Sequence, residues 1–250
     1  MEGKLFIGTS NVVVPGPKHT FPREFQSSPR LSYYSTLLNS VEINSTFYKV
    51  PQGKTLERWI SETVSDFKFS VKLPRNVTHQ KLLHHDPADI DSFLELINRM
   101  REKQGCLLIQ FPASITEDFF ESVVAILRRV RQNNPGGWNV FVEFRHDSWY
   151  TRHVYKMLLK HKAALVIHDK RGAKTPIDNF PFHIVYWRFH GPHGDYRGTY
   201  SQEALIEYAV RIKNWRVQGK AVYAYFNNTI GQAYENALKL RELTGMNKDD

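Results

Sequence analysis

Cysteine and long apolar runs are scarce in this 250-residue sequence. Cys106 is its one cysteine, so no disulfide bond can form within the chain. No stretch reaches the roughly 18 consecutive apolar residues of a membrane-spanning helix, and the residues after Met1 lack the long apolar segment of a secretion signal. These absences predict a cytoplasmic protein with no membrane partner.

Acidic residues are also in short supply, since 25 Asp and Glu residues stand against 34 Lys and Arg residues, for a net charge of +9. This surplus favours an anionic small molecule or a nucleic acid as partner. Apolar residues make up 41% of the sequence, and no low-complexity segment or long linker divides it. The composition predicts one folded domain over residues 1–250 and leaves its oligomeric state open.

Short apolar segments alternate along the chain with longer amphipathic ones. The predicted strands are Leu5–Thr9, Val41–Asn44, Phe67–Leu73, Cys106–Phe111, Val140–Arg145, Ala164–Asp169, Ile184–His190 and Val222–Asn227. The segments between them carry apolar residues at helical spacing, as at Ile90, Phe93, Leu94 and Ile97. Because alternating strands and helices indicate parallel pairing, this order predicts an α/β fold, a single (β/α)8 barrel of TIM type.

The connection between the sixth and seventh predicted strands departs from this pattern. It contains Gly172, Pro176 and Pro181, which leave too little helix-forming sequence for a crossover helix. We therefore expect a barrel that is irregular between strands 6 and 7.

Alternation along each predicted strand separates residues that face the helices from residues that face the barrel interior. In the third strand, Phe69 and Val71 face outward, and Ser70 and Lys72 face inward. The same rule turns further polar side chains inward, mostly near the carboxyl ends of their strands: Glu42, Asn44, Gln110, Glu143, Arg145, Arg188, His190 and Asn227. Active sites of this fold lie at that end, so we expect the functional site there.

These residue types suit acid–base chemistry on an anionic, phosphorylated substrate, by a hydrolase or a lyase. Glu143 is the expected general acid or base, and His190 and Lys72 are further catalytic candidates, with Lys72 also a candidate Schiff-base nucleophile. Arg145 and Arg188 are expected to bind phosphate or carboxylate. The other predicted substrate-binding residues are Glu42, Asn44, Tyr48, Gln110 and Asn227, and the aromatic residues Phe47, Trp149 and Tyr200 are candidates for the pocket wall.

A structural interpretation of the same polar groups stays open. Glu143 is able to neutralise Arg145 or Arg188, and Lys72 is able to pair with Glu42, because ion pairs of this kind are common in folded proteins. The histidines His79, His84 and His85 precede Asp86-Pro87 in a polar stretch, for which we expect a solvated loop.

A divalent metal is a second alternative, and it would make the protein a metal-assisted phosphodiesterase or endonuclease on nucleic acid. Glu143, His168, Asp169 and His190 are suitable ligand types, but no His-Glu-x-x-His or paired-cysteine spacing supports them. No residue is therefore assigned to a metal, and the cofactor is left open. A third alternative is a basic protein that binds nucleic acid without catalysis.

Several segments that carry the inward-facing residues form a recognisable set. They are Val41–Tyr48, Phe69–Pro74, Gln110–Pro112, Glu143–Trp149, Tyr186–Gly191, Tyr200–Ser201 and Phe226–Thr229. In this combination and order the chain resembles the YecE-like family, domain of unknown function 72, over nearly its whole length. The resemblance implies a TIM-barrel-like fold without a settled activity. After its first strand, that family carries a tryptophan-containing loop, whereas this sequence reads Asn11–Gly16. A substrate contact made by the family's loop is therefore not carried over to these residues.

Overall fold

The computed structural model describes residues 1–135, 137–177 and 181–245. The strands are β1 (Leu5–Thr9), β2 (Ser40–Ile43), β3 (Lys68–Lys72), β4 (Gln104–Gln110), β5 (Asn139–Glu143), β6 (Ala163–His168), β7 (Ile184–Phe189), β8 (Arg197–Gly198), β9 (Ala221–Phe226) and β10 (Ile230–Gly231). The helices are α1 (Arg30–Leu37), α2 (Ser45–Tyr48), α3 (Gly53–Ser61), α4 (Arg75–Thr78), α5 (Pro87–Ile97), α6 (Phe120–Gln132), α7 (Arg152–Lys160), α8 (Gln202–Val217) and α9 (Ala233–Thr244). Within the described ranges, no helix is both long and apolar enough to cross a membrane.

Eight of these strands form a parallel sheet in the order β1-β9-β7-β6-β5-β4-β3-β2. Its two edges meet at a parallel bridge between Ser10 and Glu42, so the sheet is a nearly closed barrel. The short strands β8 and β10 pair separately. The predicted α/β barrel is confirmed, and each predicted barrel strand lies within two residues of its observed bounds.

Some of the helices begin at residues whose side chains cap them. The Asp86 side chain accepts a hydrogen bond from the Ala88 amide at the start of α5, and the Ser201 side chain accepts one from the Ala204 amide at the start of α8. Each cap satisfies an amide that the first helical turn leaves without a partner.

Side chains of the strands alternate between two apolar clusters, as the sequence predicted. The outer cluster, between sheet and helices, contains Phe69 and Val71 of β3 together with Val142 of β5. The inner cluster fills the barrel interior with Phe6, Cys106, Leu108, Phe141, Val166, Tyr186, Tyr223 and Tyr225. This filled interior forms a floor beneath the polar residues at the carboxyl ends of the strands.

The connection between β6 and β7 contains no helix in its described part, residues 169–177 and 181–183, and the predicted irregularity is confirmed. Its first half is fixed by hydrogen bonds: the Thr175 amide donates to the His168 carbonyl at 3.1 Å, and the Tyr150 hydroxyl donates to the Ala173 carbonyl at 2.8 Å. Pro176 and Pro181 flank residues 178–180, which lie outside the described part. The loop therefore brings backbone and side chains to the carboxyl end of the barrel.

Side chains, more than backbone pairing, close the seam between β1 and β2. The Asn39 amide group donates to the Leu5 carbonyl and accepts from the Ile7 amide, both at 2.9 Å. The strands approach so closely that a Cβ on Gly8 would lie 2.0 Å from the Ser40 carbonyl oxygen, so only glycine fits there. The seam thus depends on Asn39 and on the absence of a side chain at Gly8.

We expect Asn39→Ala to destabilise the fold by roughly 1–3 kcal/mol, because it removes both side-chain hydrogen bonds across the seam. Urea unfolding measures the change, with Asn214→Ala on the exposed surface of α8 as the matched control. Equal unfolding free energies for the two variants would contradict the assigned role of Asn39.

Candidate active site

Arg188 lies at the centre of the carboxyl end of the barrel, and its guanidinium is buried. Its Nε and Nη2 donate to the two carboxylate oxygens of Glu42, each at 2.8 Å, and its Nη1 donates to Glu143 Oε2 at 2.6 Å. One side chain of β7 therefore joins β2 and β5 across the barrel. Arg188, Glu42 and Glu143, all predicted site residues, are brought together.

Glu42 is held by two neighbours besides Arg188. The Tyr186 hydroxyl donates to Oε2 at 2.5 Å, and the Ser10 hydroxyl donates to Oε1 at 2.6 Å. Burial raises the pKa of Glu42, but the charge and hydrogen bonds of Arg188 outweigh burial and leave the pKa below its ordinary value. Glu42 is therefore an ionised partner with its oxygens fully occupied.

Glu143 forms its second ion pair with Arg145, two residues beyond the end of β5. Burial alone would raise the pKa of Glu143, yet Arg145 and Arg188 hold it well below the ordinary range. A carboxylate between two guanidinium groups resists protonation. The acid–base role expected for Glu143 stays a prediction, and these contacts favour an electrostatic role.

His190 packs between Arg145 and Arg188. Its Nε2 lies 3.1 Å from Arg145 Nη2 and 3.4 Å from Arg188 Nη1, and its Nδ1 lies 3.3 Å from Asp169 Oδ1. Burial and the charge of Arg188 hold the pKa of His190 well below its ordinary value. Because guanidinium groups only donate, Nε2 of this neutral ring is the acceptor toward both arginines and the ring proton is assigned to Nδ1, which has no hydrogen-bond partner in the described chain.

Lys72 ends β3, and its amine is buried without a carboxylate within 4 Å among the described residues. Its Nζ donates to Gln110 Oε1 at 2.6 Å and lies 3.9 Å from the centre of the Phe47 ring. The suggested pair with Glu42 is wrong, because Arg188 occupies that carboxylate. Burial and the charge of Arg188 lower the pKa of Lys72 to about 7, so both protonation states are populated near neutrality.

His79 belongs to the site, which the expectation of a solvated loop missed. The short helix α4 follows β3 directly and places His79 Nε2 3.5 Å from Gln110 Nε2, with its ring edge-on to Phe47. Burial and the charge of Lys72 lower the pKa of His79 to about 4. The sequence signal was the position of His79, five residues after Pro74, which directly follows the predicted strand Phe67–Leu73. His84 remains exposed, as expected.

A cavity of about 280 Å³ opens beside these groups and is called the mouth cavity below. It is lined by Gln110, Ala113, Arg145, Lys170, Arg171, Ala173 and Tyr196. Lys170 Nζ lies 4.1 Å from the centre of the Tyr196 ring and donates to the Gly194 carbonyl at 2.9 Å. The sequence pointed to Gln110 and Arg145 here, but not to Lys170, Arg171 or Tyr196, which belong to loops without periodicity.

A larger cavity of about 850 Å³ lies at the opposite, amino end of the strands. Some of its charged side chains already have protein partners: Arg216 contacts Glu2 and the Gly3 carbonyl, and Lys68 donates to the Glu102 carbonyl. The smaller mouth cavity is the better candidate site, because two of the predicted inward-facing residues, Gln110 and Arg145, line it.

The remaining predicted residues differ in their surroundings. Asn44 Oδ1 is buried without a hydrogen-bond partner within the described chain, and Asn227 is buried at the end of β9. Tyr48 is 73% exposed at the rim, edge-on to Phe47. Trp149 is a core residue that stacks on Phe144, with ring centres 4.2 Å apart, so its candidacy for the pocket wall is wrong.

The candidate metal ligands do not assemble around a common point. Both oxygens of Glu143 contact guanidinium groups, Asp169 accepts from the Tyr200 hydroxyl and the His190 amide, and His168 Nε2 donates to the Phe144 carbonyl at 2.9 Å. Across residues 1–135, 137–177 and 181–245, no group of three or more His, Cys, Asp and Glu side chains is placed to hold a metal ion. This geometry does not favour metal-assisted chemistry by those residues.

Comparison with known families gives a match between residues 6–250 and the family described as "Protein of unknown function DUF72". The chain belongs to the DUF72 family. UPF0759 protein YunF of Bacillus subtilis strain 168 is 26% identical to this DUF72 chain over 259 residues. The match covers 89% of this chain and 89% of YunF. UPF0759 protein YecE of Escherichia coli K12 is 27% identical over 155 residues, 62% of this chain, and the match spans about half, 54%, of that protein.

Solved structures agree with the DUF72 assignment. A DUF72 family protein of Thermotoga maritima MSB8 is 28% identical, with a TM-score of 0.77 and coverage of 97% of this chain and 99% of that one. One from Enterococcus faecalis V583 is 21% identical, with a TM-score of 0.78 and coverage of 97% and 96%. PbGH5A, a glycoside hydrolase family 5 enzyme of Prevotella bryantii B14, shares only the fold, at 11% identity and a TM-score of 0.51 over 97% of this chain and 95% of that one.

We expect Glu42→Gln to destabilise this DUF72 protein by about 3–5 kcal/mol, because Glu143 alone is then left to balance the buried guanidinium groups of Arg188 and Arg145 within the described site. Urea unfolding tests this against Glu121→Gln, the same change on the exposed face of α6. A loss no larger than that of the control would show that Arg188 does not depend on Glu42.

We expect Lys72→Met to stabilise the protein at pH 6, by an amount that shrinks toward pH 10. The folded-state pKa is about 7 and the ordinary value is 10.5, so the unfolded chain binds more protons between these values. The penalty for a buried ammonium is thus complete below pH 7 and fades as the pH rises. Urea unfolding of Lys72→Met and the surface control Lys213→Met between pH 6 and 10 measures it; a pH-independent difference would contradict the lowered pKa.

Proposed function

We propose that this protein is an enzyme that binds a small anionic, phosphorylated substrate in the mouth cavity and uses Lys72 as its acid–base group. One observation carries the proposal. The Lys72 amine, which has no carboxylate within 4 Å among the described residues, donates to Gln110 Oε1, and Gln110 lines the mouth cavity together with Arg145, Lys170 and Arg171.

The charges at the mouth favour an anionic ligand. The carboxylates of Glu42 and Glu143 offset the guanidinium groups of Arg188 and Arg145, which leaves the positive charge of Lys170 and Arg171 facing the cavity. Arg145 also retains a buried Nε without a hydrogen-bond partner in the described chain. A phosphate oxygen satisfies such a donor with a strong, charge-assisted hydrogen bond.

Proton transfer falls to Lys72 in this proposal. A group with a pKa of about 7 accepts a proton from a substrate in one step and returns it in another, as the hydrolase and lyase reactions expected from the sequence require. Gln110 fixes the position of the amine through its Oε1, and its Nε2 donates to the Phe111 carbonyl at 3.3 Å.

The other predicted residues support Lys72 and Gln110 in this proposal. Glu143 and His190 hold the guanidinium of Arg145 in place, and Arg188 with Glu42 supplies the rigid base beneath it. Asn44 contributes a buried oxygen that is free to accept a substrate hydroxyl. Asn227 at the end of β9 and the exposed Tyr48 complete the set as proposed substrate contacts.

We expect inorganic phosphate and phosphorylated metabolites to raise the melting temperature of the protein, and Arg145→Ala and Lys170→Ala to abolish the shift. A ligand at a hundredfold excess over its Kd stabilises the fold by about 2.7 kcal/mol. Arg211→Ala and Lys213→Ala on the exposed surface of α8 are the matched controls and should keep the full shift. A similar shift with chloride at equal ionic strength, or in the Arg145 and Lys170 variants, would refute binding in the mouth cavity.

A further inference from the structure

The hydrogen bonds of Lys72 do not satisfy a permanent ammonium group. An ammonium has three N–H donors. Among the described residues, the Lys72 amine contacts one oxygen, Gln110 Oε1, and one aromatic face, that of Phe47. A neutral amine needs fewer acceptors and keeps a lone pair. The surroundings of Lys72 therefore suit the form of lysine that attacks carbonyl carbon.

Four charged groups on or just after the three strands β2, β5 and β7 act on this amine. Arg188 and Arg145 oppose its protonation, Glu143 and Glu42 favour it, and burial adds to the effect of the arginines. Glu143 and Glu42 attract the Lys72 proton less strongly because each carboxylate is already paired with a guanidinium group. From α4, His79 is neutral at pH 7 because its pKa is about 4.

Lys103, the other buried lysine in the described chain, has different hydrogen-bond partners. Lys103 Nζ donates to the carbonyl and hydroxyl of Thr63, both at 3.0 Å, and also to the Val64 carbonyl. Its three donors are therefore occupied, at the amino end of the barrel and away from the mouth cavity. Lys103 therefore has three oxygen acceptors, whereas Lys72 has one within the described chain.

We propose that Lys72 forms a covalent imine with a small aldehyde or ketone whose anionic group is held by Arg145 and Lys170. This inference rests on the proposed function, because the anion site positions the carbonyl group beside the amine. It narrows the substrate class to phosphorylated carbonyl compounds.

The chemistry balances without an oxidant or reductant. The Lys72 Nζ lone pair forms a bond to the carbonyl carbon, and the proton that the nitrogen loses is matched by one gained on the former carbonyl oxygen. The carbon–oxygen bond of this adduct then breaks, and the oxygen takes a further proton and leaves as water. The resulting protonated C=N bond withdraws electrons from the adjacent carbon, and hydrolysis by water regenerates the free amine.

Reductive trapping tests the proposal. The full-length protein at pH 7 is treated with glycolaldehyde phosphate and sodium borohydride, and peptide mass mapping locates the reduced adduct. We expect occupancy at Lys72 at least about tenfold above that at the exposed Lys213, because an ordinary lysine with a pKa near 10.4 is almost wholly protonated at this pH. Inorganic phosphate should compete with the adduct, and glycolaldehyde without phosphate should label Lys72 more weakly.

Variants supply the controls. Lys72→Met should lose the adduct without a new one appearing in its place, Arg145→Ala should lower the occupancy, and Lys103→Met should keep it. Labelling of Lys72 no greater than that of Lys213 in the wild-type protein would overturn the imine, and this arm does not depend on whether any variant folds. Phosphate binding without the adduct refutes the imine alone, whereas loss of both refutes the proposed function as well.

Discussion

The buried guanidinium of Arg188 is the interaction on which the carboxyl end of this barrel depends. It spans the carboxylates of Glu42 and Glu143 and so ties three strands that are not neighbours in the sheet. Such a group is stable in a filled interior only while both partners remain ionised. The low pKa of each carboxylate is therefore a condition of the fold as well as a property of the site.

The same ion pairs decide what the neighbouring side chains are able to do. Glu143 contacts two arginines and His190 Nε2 faces the same two arginines, so in this arrangement the proton-accepting atoms of both side chains lie against guanidinium groups. Lys72 is affected in the opposite sense, since Arg188 repels its proton and no carboxylate offsets that repulsion at close range in the described chain. Lys72 thus lies outside the ion pairs that occupy Glu42, Glu143, Arg145 and Arg188.

Much of this was readable from the sequence, and the reasons differ by residue. Strand alternation placed Ser70 and Lys72 opposite Phe69 and Val71, because a period of two fixes the side that each side chain faces. It did not determine partners, so the suggested pair of Lys72 with Glu42 was wrong: side-chain length and the planar geometry of Arg188 decide that contact. His79, Lys170 and Arg171 were missed as site residues, since loops and single helical turns have no periodic pattern.

The seam at Asn39 also has a consequence for the order in which the molecule is built. β1 has its continuous ladder of backbone hydrogen bonds with β9, the last barrel strand in the sequence, while its contact with β2 rests on side chains. During synthesis on the ribosome, β1 is made long before β9, its principal partner at Ala221–Phe226. Closure of the ring is therefore a late event that joins distant parts of the chain, the kind of contact that slows folding most.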